Sequence, residues 1–186
     1  MNECKSEKAI ITERLYLRMF NESDACEVSR LCNNYNLYRS TLNLPYPYTE
    51  EDARYWIGGH EENFDQDRMY EFAVTDKESG KLYGAVGISN KARDKNGEIA
   101  YWIGEEYWGK GYGTEAAKAV IQFVFKEKDY HRVYARYFGS NPASGAIMKK
   151  CGMEYEGTLK DHLFKNDRFE DLVLYGIINE KHASNR

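Results

Sequence analysis

The stretch that decides the fold of this chain is Tyr107-Trp108-Gly109-Lys110-Gly111-Tyr112-Gly113-Thr114-Glu115-Ala116-Ala117. Before it, residues 98–103 form an apolar and aromatic run between two glycines, which predicts a buried strand. After it, apolar residues at helical spacing predict a well-buried helix to about residue 125. A strand, a glycine-rich turn and a helix in this order aim free backbone N–H groups and the positive end of a helix dipole at one point. Such a point binds an anion, most often a phosphate.

The spacing of the glycines argues against two common kinds of phosphate-binding loop. Gly109, Gly111 and Gly113 alternate with other residues, and the final Gly-Lys-Ser/Thr of a nucleotide-triphosphate loop is missing. The third glycine of a dinucleotide fingerprint is also missing. An ordinary turn is the alternative interpretation, and the flanking elements and a second motif downstream argue against it.

Composition and charge exclude several classes of protein. The chain has 186 residues, of which 42% are apolar and 15% aromatic, and this predicts a single globular domain. Its 26 Lys and Arg against 30 Asp and Glu give a net charge of −4, which argues against a nucleic-acid partner. The mild acidity is compatible with a cationic substrate.

The cysteines and the N-terminus predict the compartment. Cys4, Cys26, Cys32 and Cys151 show neither metal-ligand spacing nor a disulfide framework, so we expect free thiols in a reducing compartment and no metal. The N-terminus lacks the apolar core of a signal peptide, and no run approaches the ~20 apolar residues of a membrane span. We therefore expect a cytoplasmic protein without a membrane partner.

The remaining elements follow from periodicity and capping signals. In the N-terminal part we predict a strand over 10–20, a helix from Asn21 through Tyr35, a loop over 41–48 and a helix from Thr49 through Phe64. A hairpin of two strands, 70–75 and 82–88, follows. Beyond the central helix we predict a strand over 133–138, a helix opened by Asn141-Pro142 and closed by Gly152, and strands over 153–159 and 171–178. Residues 161–170 are charged, and we expect an exposed connection there.

Two groups of motifs carry a resemblance to a known family. Gly111-x-Gly113 after an aromatic strand, followed by Asn141-x-x-Ser144 and Lys150-x-Gly152, resembles the GNAT acyl-CoA N-acyltransferase superfamily. The opening Thr12-Glu13-Arg14-Leu15-x-Leu17-Arg18 and the string Trp108-Gly109-Lys110-Gly111 resemble the branch that contains the ribosomal-protein N-terminal acetyltransferases. The similarity covers about residues 10–178 of one domain spanning 1–186, and it does not identify a substrate.

The resemblance implies an α/β (α+β) fold, with a mixed, centrally splayed β-sheet flanked by helices and acetyl-CoA in the gap. The strand at 101–103 would bind the pantetheine arm through its backbone, and the turn at 109–114 would hold the pyrophosphate. Lys149 or Lys150 would meet the 3′-phosphate. The residues implied in cofactor binding are Tyr101, Trp102, Ile103, Trp108, Gly109, Lys110, Gly111, Tyr112, Gly113, Thr114, Asn141, Ser144 and Lys149.

Two residues are implied in catalysis. Glu98 aligns with the general base of the family, acting directly or through water, and the alternative is a solvated carboxylate at a strand end. Met148 stands where many relatives carry the tyrosine that protonates the leaving thiolate, and a methionine cannot donate a proton. Ser144 is the available substitute, and its alternative role is to satisfy a backbone amide of its helix. Asn141 could be a helix cap, a coenzyme A ligand or both.

We therefore predict an acetyl-CoA-dependent N-acetyltransferase that moves an acetyl group directly to a primary amine. The alternative is an acyl-CoA-binding module with little or no turnover. Protein N-termini, polyamines, aminoglycosides and small amino acid amides all remain as acceptors. A homodimer is implied by the resemblance.

Overall fold

A computed structural model describes residues 8–181, and the eight strands within them form one sheet in the order β1-β2-β3-β4-β5-β6-β8-β7. The strands are β1 Ala9–Ile11, β2 Leu15–Arg18, β3 Met69–Asp76, β4 Leu82–Ser89, β5 Asn96–Ile103, β6 Arg132–Phe138, β7 Glu154–Lys165 and β8 Arg168–Ile178. The helices are α1 Ala25–Cys32, α2 Tyr35–Ser40, α3 Glu50–Gly58, α4 His60–Asp65, α5 Tyr112–Glu127 and α6 Pro142–Lys150. β5 and β6 are parallel, and the other neighbouring strands are antiparallel.

Helices cover both faces of the sheet. Successive side chains of a strand point to opposite faces of the sheet, so neighbouring residues of β5 contact the helices on the two faces. Its Tyr101 hydroxyl contacts Ser144 of α6, whereas the Trp102 ring lies 6.2 Å from the Trp56 ring of α3. The long helix α5 therefore packs with α6 on one face, and α3 lies on the other.

The core around α5 is held by perpendicular aromatic rings. Phe123 of α5 lies 5.6 Å from Tyr70 and 5.8 Å from Phe72, measured between ring centroids. Edge-to-face pairs of this kind stabilise a core beyond the area that they bury. The apolar periodicity of the helix is thus explained by burial against β3.

The elements that surround the glycine turn are confirmed. β5 and α5 lie where the sequence places them, β3 and β4 form the predicted antiparallel hairpin, and β6 and α6 follow. The Asn141 side chain caps α6 by accepting a hydrogen bond from the Ser144 amide, 3.3 Å away. Gly152 follows the helix with a φ of 82°, the left-handed conformation that commonly ends a helix.

Several N-terminal boundaries are corrected by local hydrogen bonds. The predicted strand over 10–20 is two antiparallel strands, because Thr12 turns the chain by pairing with Leu15 through both its backbone and its hydroxyl. The first predicted helix is a short 3₁₀ turn and α1, and Tyr35 opens the separate helix α2, capped by Asn34. Phe64 belongs to α4, since α3 ends at Gly58.

The predicted connection over 161–170 is wrong, because β7 and β8 continue through it. Only Asn166 and Asp167 separate the strands, and both have positive φ, the conformation of a two-residue hairpin turn. This hairpin lacks the apolar alternation of a half-buried strand because most of its side chains face solvent. Glu170 is buried instead of exposed, and it pairs with Arg168.

The cysteine prediction is confirmed for Cys26, Cys32 and Cys151, which are free thiols. Cys4 lies outside the described residues. No helix between residues 8 and 181 combines the length and the apolar character that crossing a membrane requires.

We predict that Phe123→Ala lowers the free energy of unfolding by about 3–5 kcal/mol, because the substitution opens a cavity between α5 and β3. The measurement is urea unfolding followed by circular dichroism. Phe169→Ala is the matched control, because the Phe169 side chain is 64% exposed and should cost less than about 0.5 kcal/mol. Equal losses in the two variants would contradict this account of the core.

Candidate active site

The sheet opens in its middle, between β5 and β6. These strands pair only where Asn96, Gly97 and Glu98 lie opposite residues 132–134. Beyond Glu98, β5 stays paired with β4 as far as Ile103, and β6 stays paired with β8 as far as Phe138. The facing edges of β5 and β6 therefore separate, which confirms the predicted splay and leaves a gap lined by backbone groups.

The register of β5 shows which backbone groups face the gap. The amide of Gly104 donates to Tyr83 O at 2.9 Å, so alternate residues of β5 bond to β4. Trp102 is one of these residues, whereas Tyr101 and Ile103 point their backbone groups to the gap. The Ile103 carbonyl accepts from the Trp108 indole at 2.6 Å. The backbone groups that remain available for the contacts predicted at 101–103 are therefore those of Tyr101 and the Ile103 amide, because β4 uses the groups of Trp102.

The glycine turn at the end of β5 presents the start of α5. Gly109 and Gly111 have φ values of 76° and 84°, which a residue with a side chain adopts only with strain. Gly111 is the N-cap, so the amides of the next three residues, 112–114, lack acceptors within the helix. These amides and the helix dipole suit a phosphate group.

Cations surround the same turn. A cavity of about 380 Å³ beside it is lined by Glu13, Arg14, Gly111, Thr114, Glu115, Lys118 and Lys150. Three of these side chains are positively charged and two are carboxylates, so the lining keeps a net positive charge, which fits a ligand that carries phosphate groups. Lys150 lines this cavity and Lys149 does not, and the role predicted for either lysine at the 3′-phosphate stays a prediction.

A network around Glu115 fixes the turn, and sequence reasoning gave these residues no role. The Glu115 carboxylate accepts hydrogen bonds from the Thr12 hydroxyl at 2.7 Å, the Arg14 amide at 2.9 Å and Arg14 Nε at 2.8 Å. Burial opposes ionisation, but these hydrogen bonds outweigh it and lower the pKa of Glu115. Arg14 also donates to Lys110 O at 3.0 Å, inside the turn. The Thr12–Arg14 motif, noted only for its resemblance, was the available signal.

A pair of hydroxyl groups lies between β5 and α6. The Tyr101 hydroxyl donates to Ser144 O at 3.0 Å, and its oxygen lies 3.1 Å from Ser144 Oγ. Burial raises the pKa of Tyr101, so the phenol keeps its proton. Met148, on the same helix, is buried in the core and 2% exposed. A phenol from β5 therefore lies beside Ser144, a contact that sequence reasoning missed.

Two further predicted site residues are engaged by the protein itself. Asn141 caps α6 with Oδ1 and donates from Nδ2 to Ser40 O at 3.0 Å. Glu98 accepts from Arg136 Nε at 2.7 Å and Nη2 at 2.8 Å, a bidentate ion pair. The roles predicted for them in cofactor binding and as a general base stay predictions. For Glu98 the geometry adds a condition, since Arg136 holds both oxygens of the carboxylate.

Comparison with known proteins agrees with this geometry. Residues 14–154 match the family model described as an acetyltransferase (GNAT) domain. The chain belongs to the GNAT acetyltransferase family. It is an acetyl-CoA-dependent N-acetyltransferase. The family match does not favour the alternative of an acyl-CoA-binding module with little or no turnover.

Relatives with more specific names are similar over most of the chain. The [Ribosomal protein uS5]-alanine N-acetyltransferase of Escherichia coli is 30% identical, covering 89% of this chain and 88% of the relative. A ribosomal-protein-S5-alanine acetyltransferase from Vibrio fischeri has a solved structure with a TM-score of 0.82 at 26% identity, covering 92% of this chain and 97% of that one. A ribosomal L7/L12 α-N-protein acetyltransferase in complex with coenzyme A has a TM-score of 0.84 at 21% identity, covering 91% and 97%, and shows the shared fold.

We predict that Gly111→Ala weakens acetyl-CoA binding at least tenfold, about 1.4 kcal/mol, because the substitution forces the turn out of its left-handed conformation. Gly80→Ala is the control, because Gly80 has a similar φ of 71° in the turn between β3 and β4 and does not line the cavity. Calorimetric titration with acetyl-CoA measures both variants. If the two bind acetyl-CoA equally well, the turn is not the phosphate site.

Proposed function

We propose that the acceptor is the α-amino group of a protein N-terminus and that the enzyme works in the cytoplasm. The observation that carries this proposal is the 30% identity over nearly the whole chain to an enzyme named for the alanine of ribosomal protein uS5. The open gap in the sheet supports it, since an extended chain terminus can enter from the face opposite α5 and α6. On that face Ala100 of β5 is exposed.

The site residues take the following roles in this proposal. The amides of residues 112–114 hold the pyrophosphate, with Arg14, Lys118 and Lys150 around it. Tyr101 and Ile103 bind the pantetheine arm through the edge of β5, as an added strand would bind. Trp108, Gly109 and Lys110 shape the turn, and Asn141 fixes the start of α6.

Bound acetyl-CoA supplies a thioester, whose acetyl carbon a neutral amine attacks. Ser144 and Tyr101 lie at the start of α6, and we assign to this pair the proton that reaches the departing sulfur. The Tyr101 hydroxyl orients Ser144, and the N-terminal end of the helix stabilises negative charge nearby. The homodimer implied by the resemblance stays a prediction.

The acceptor proposal is tested by coenzyme A release across an amine panel, with products identified by mass spectrometry. The panel holds a peptide with N-terminal alanine, one with N-terminal serine, spermidine and an aminoglycoside. We expect at least tenfold higher kcat/KM for a peptide than for either small amine. The same alanine peptide with its N-terminus already acetylated is the control. Faster acetylation of spermidine or the aminoglycoside would refute a protein acceptor.

We predict that Ser144→Ala and Tyr101→Phe each lower kcat about tenfold, with little change in acetyl-CoA affinity. The effect is modest because a thiol has a pKa of ~8.5 and leaves partly as thiolate without help. The double variant should lose less than the product of the single losses, because the two groups share a hydrogen bond. Ser140→Ala is the control, since Ser140 is exposed and precedes the cap. An unchanged kcat in Ser144→Ala would leave Ser144 a helix residue only.

A further inference from the structure

A second carboxyl group lies in the sheet near the gap, on β3. Glu71 is 8% exposed, and within residues 8–181 its side chain makes no hydrogen bond or ion pair. A buried carboxyl without a partner is costly, and such a group is a candidate for a functional role. Three side-chain polar atoms within residues 8–181 are fully enclosed and have no hydrogen-bond partner, namely His60 Nδ1, Asn96 Oδ1 and Tyr107 Oη. The Glu71 oxygens are not among them. The carboxyl therefore keeps some contact with solvent.

The register directs Glu71 towards the gap. Glu71 lies opposite Gly87 of β4, and Gly87 lies opposite Ala100 of β5. Directly paired residues share a face, so all three face the side away from α5 and α6. A Cβ atom on Gly87 would lie 2.2–2.3 Å from the carboxyl atoms of Glu71. The carboxyl group thus occupies the space over β4 that the glycine leaves open.

Between this carboxyl and the gap, the surface of the sheet carries a small side chain. Adjacent strands lie ~4.8 Å apart, so the carboxyl over β4 is roughly one strand spacing from β5. Ala100 is small and exposed there. An amine above Ala100 would lie between the Glu71 carboxyl and the edge of β5 at which the Tyr101 backbone faces the gap.

Neighbouring charges do not compete for this amine, because they are paired with one another. The pairs on the surrounding elements are Arg18 with Asp24, Glu98 with Arg136, Arg54 with Glu22 and Glu50, Arg68 with Glu62, and Lys8 with Glu61 and Asp65. His60 is buried, which lowers its pKa to about 4 and leaves it neutral.

We propose that Glu71 is the catalytic residue that takes the proton from the ammonium group of the acceptor. This rests on the acetyl transfer established above and not on which amine is the acceptor. An ammonium loses one proton to the Glu71 carboxylate, and its nitrogen then forms the C–N bond as the C–S bond breaks. The second proton passes from nitrogen to sulfur through the hydroxyl groups of Ser144 and Tyr101, giving the amide and the thiol. Glu71 returns its proton to water.

The environment gives Glu71 the proton affinity that this step needs. Burial raises the pKa of Glu71 to about 8, close to the working pH that favours a general base. The group is then protonated in the folded state and ionised in the unfolded state between about pH 4.3 and 8. Its stabilising contribution is complete below that range and is lost as the pH rises to 8.

The first experiment follows kcat/KM against pH, with the alanine peptide and spermidine as probes. In the parent we expect an acidic limb near pH 8 that is the same for both amines. Glu71→Gln should lower kcat/KM about a hundredfold or more and abolish this limb, while Glu71→Asp should retain it. Glu98→Gln should keep the limb. Glu78→Gln, in the turn between β3 and β4, is the matched control for removing a carboxylate. The proposal is overturned if Glu98→Gln, and not Glu71→Gln, removes the limb.

The second experiment does not depend on turnover. Binding of the alanine peptide to the protein loaded with coenzyme A is measured by calorimetry at pH 7 in buffers of different ionisation enthalpy. The parent should release about one proton, because the arriving ammonium ionises Glu71, and Glu71→Gln should release none. The melting temperature of Glu71→Gln should also rise relative to the parent as the pH goes from 5 to 8. Equal proton release, or parallel melting curves, would refute the role of Glu71. Peptide binding with this proton release but without acetylation would refute the protein acceptor and leave Glu71 supported.

Discussion

The separation of β5 from β6 is the constraint on which the site depends. The two strands pair over three residues and then follow different neighbours, β4 and β8. An unpaired strand edge inside a sheet is costly unless something else satisfies its backbone groups. The Trp108 indole satisfies one carbonyl, and the contact between Tyr101 and Ser144 holds α6 beside the opening. The remaining groups are free to bind an extended ligand arm.

The second requirement is that the glycine turn stays rigid, and this depends on a contact between distant parts of the chain. Glu115 and Thr12 are 103 residues apart in sequence, yet their side chains are hydrogen-bonded. The carboxylate also neutralises Arg14, which reaches the Lys110 carbonyl in the turn. Arg14 is thus held beside the glycine turn, and the Glu115 carboxylate balances its charge at the start of α5. This network explains why an N-terminal motif accompanies a turn in the middle of the chain.

Charge is distributed unevenly across the gap. Cations line the cavity at the glycine turn, while carboxyl groups lie on the opposite face of the sheet at Glu71 and Glu98. In the proposed reaction the polyanionic donor lies at the cationic end of this opening, and the acceptor amine approaches the Glu71 carboxyl. The Glu98 carboxylate is tied to Arg136, and that of Glu71 is buried without a partner. Burial raises the pKa of the Glu71 carboxyl, whereas both oxygens of Glu98 are held in an ion pair.

The sequence by itself determined the parts of this protein that rest on local chemistry. The strand, turn and helix around Gly111, the cap at Asn141 and the hairpin of β3 and β4 follow from periodicity, glycine and capping residues, which act over a few positions. The turn at Thr12 and the β7–β8 hairpin were missed because neither has the apolar pattern of a half-buried strand. Only the tertiary structure decided which groups meet, namely Tyr101 with Ser144, Glu115 with Arg14, and Glu71 with the bare backbone of Gly87. Strand register and helix placement set these distances, and a one-residue change of register would turn every side chain of the strand to the other face.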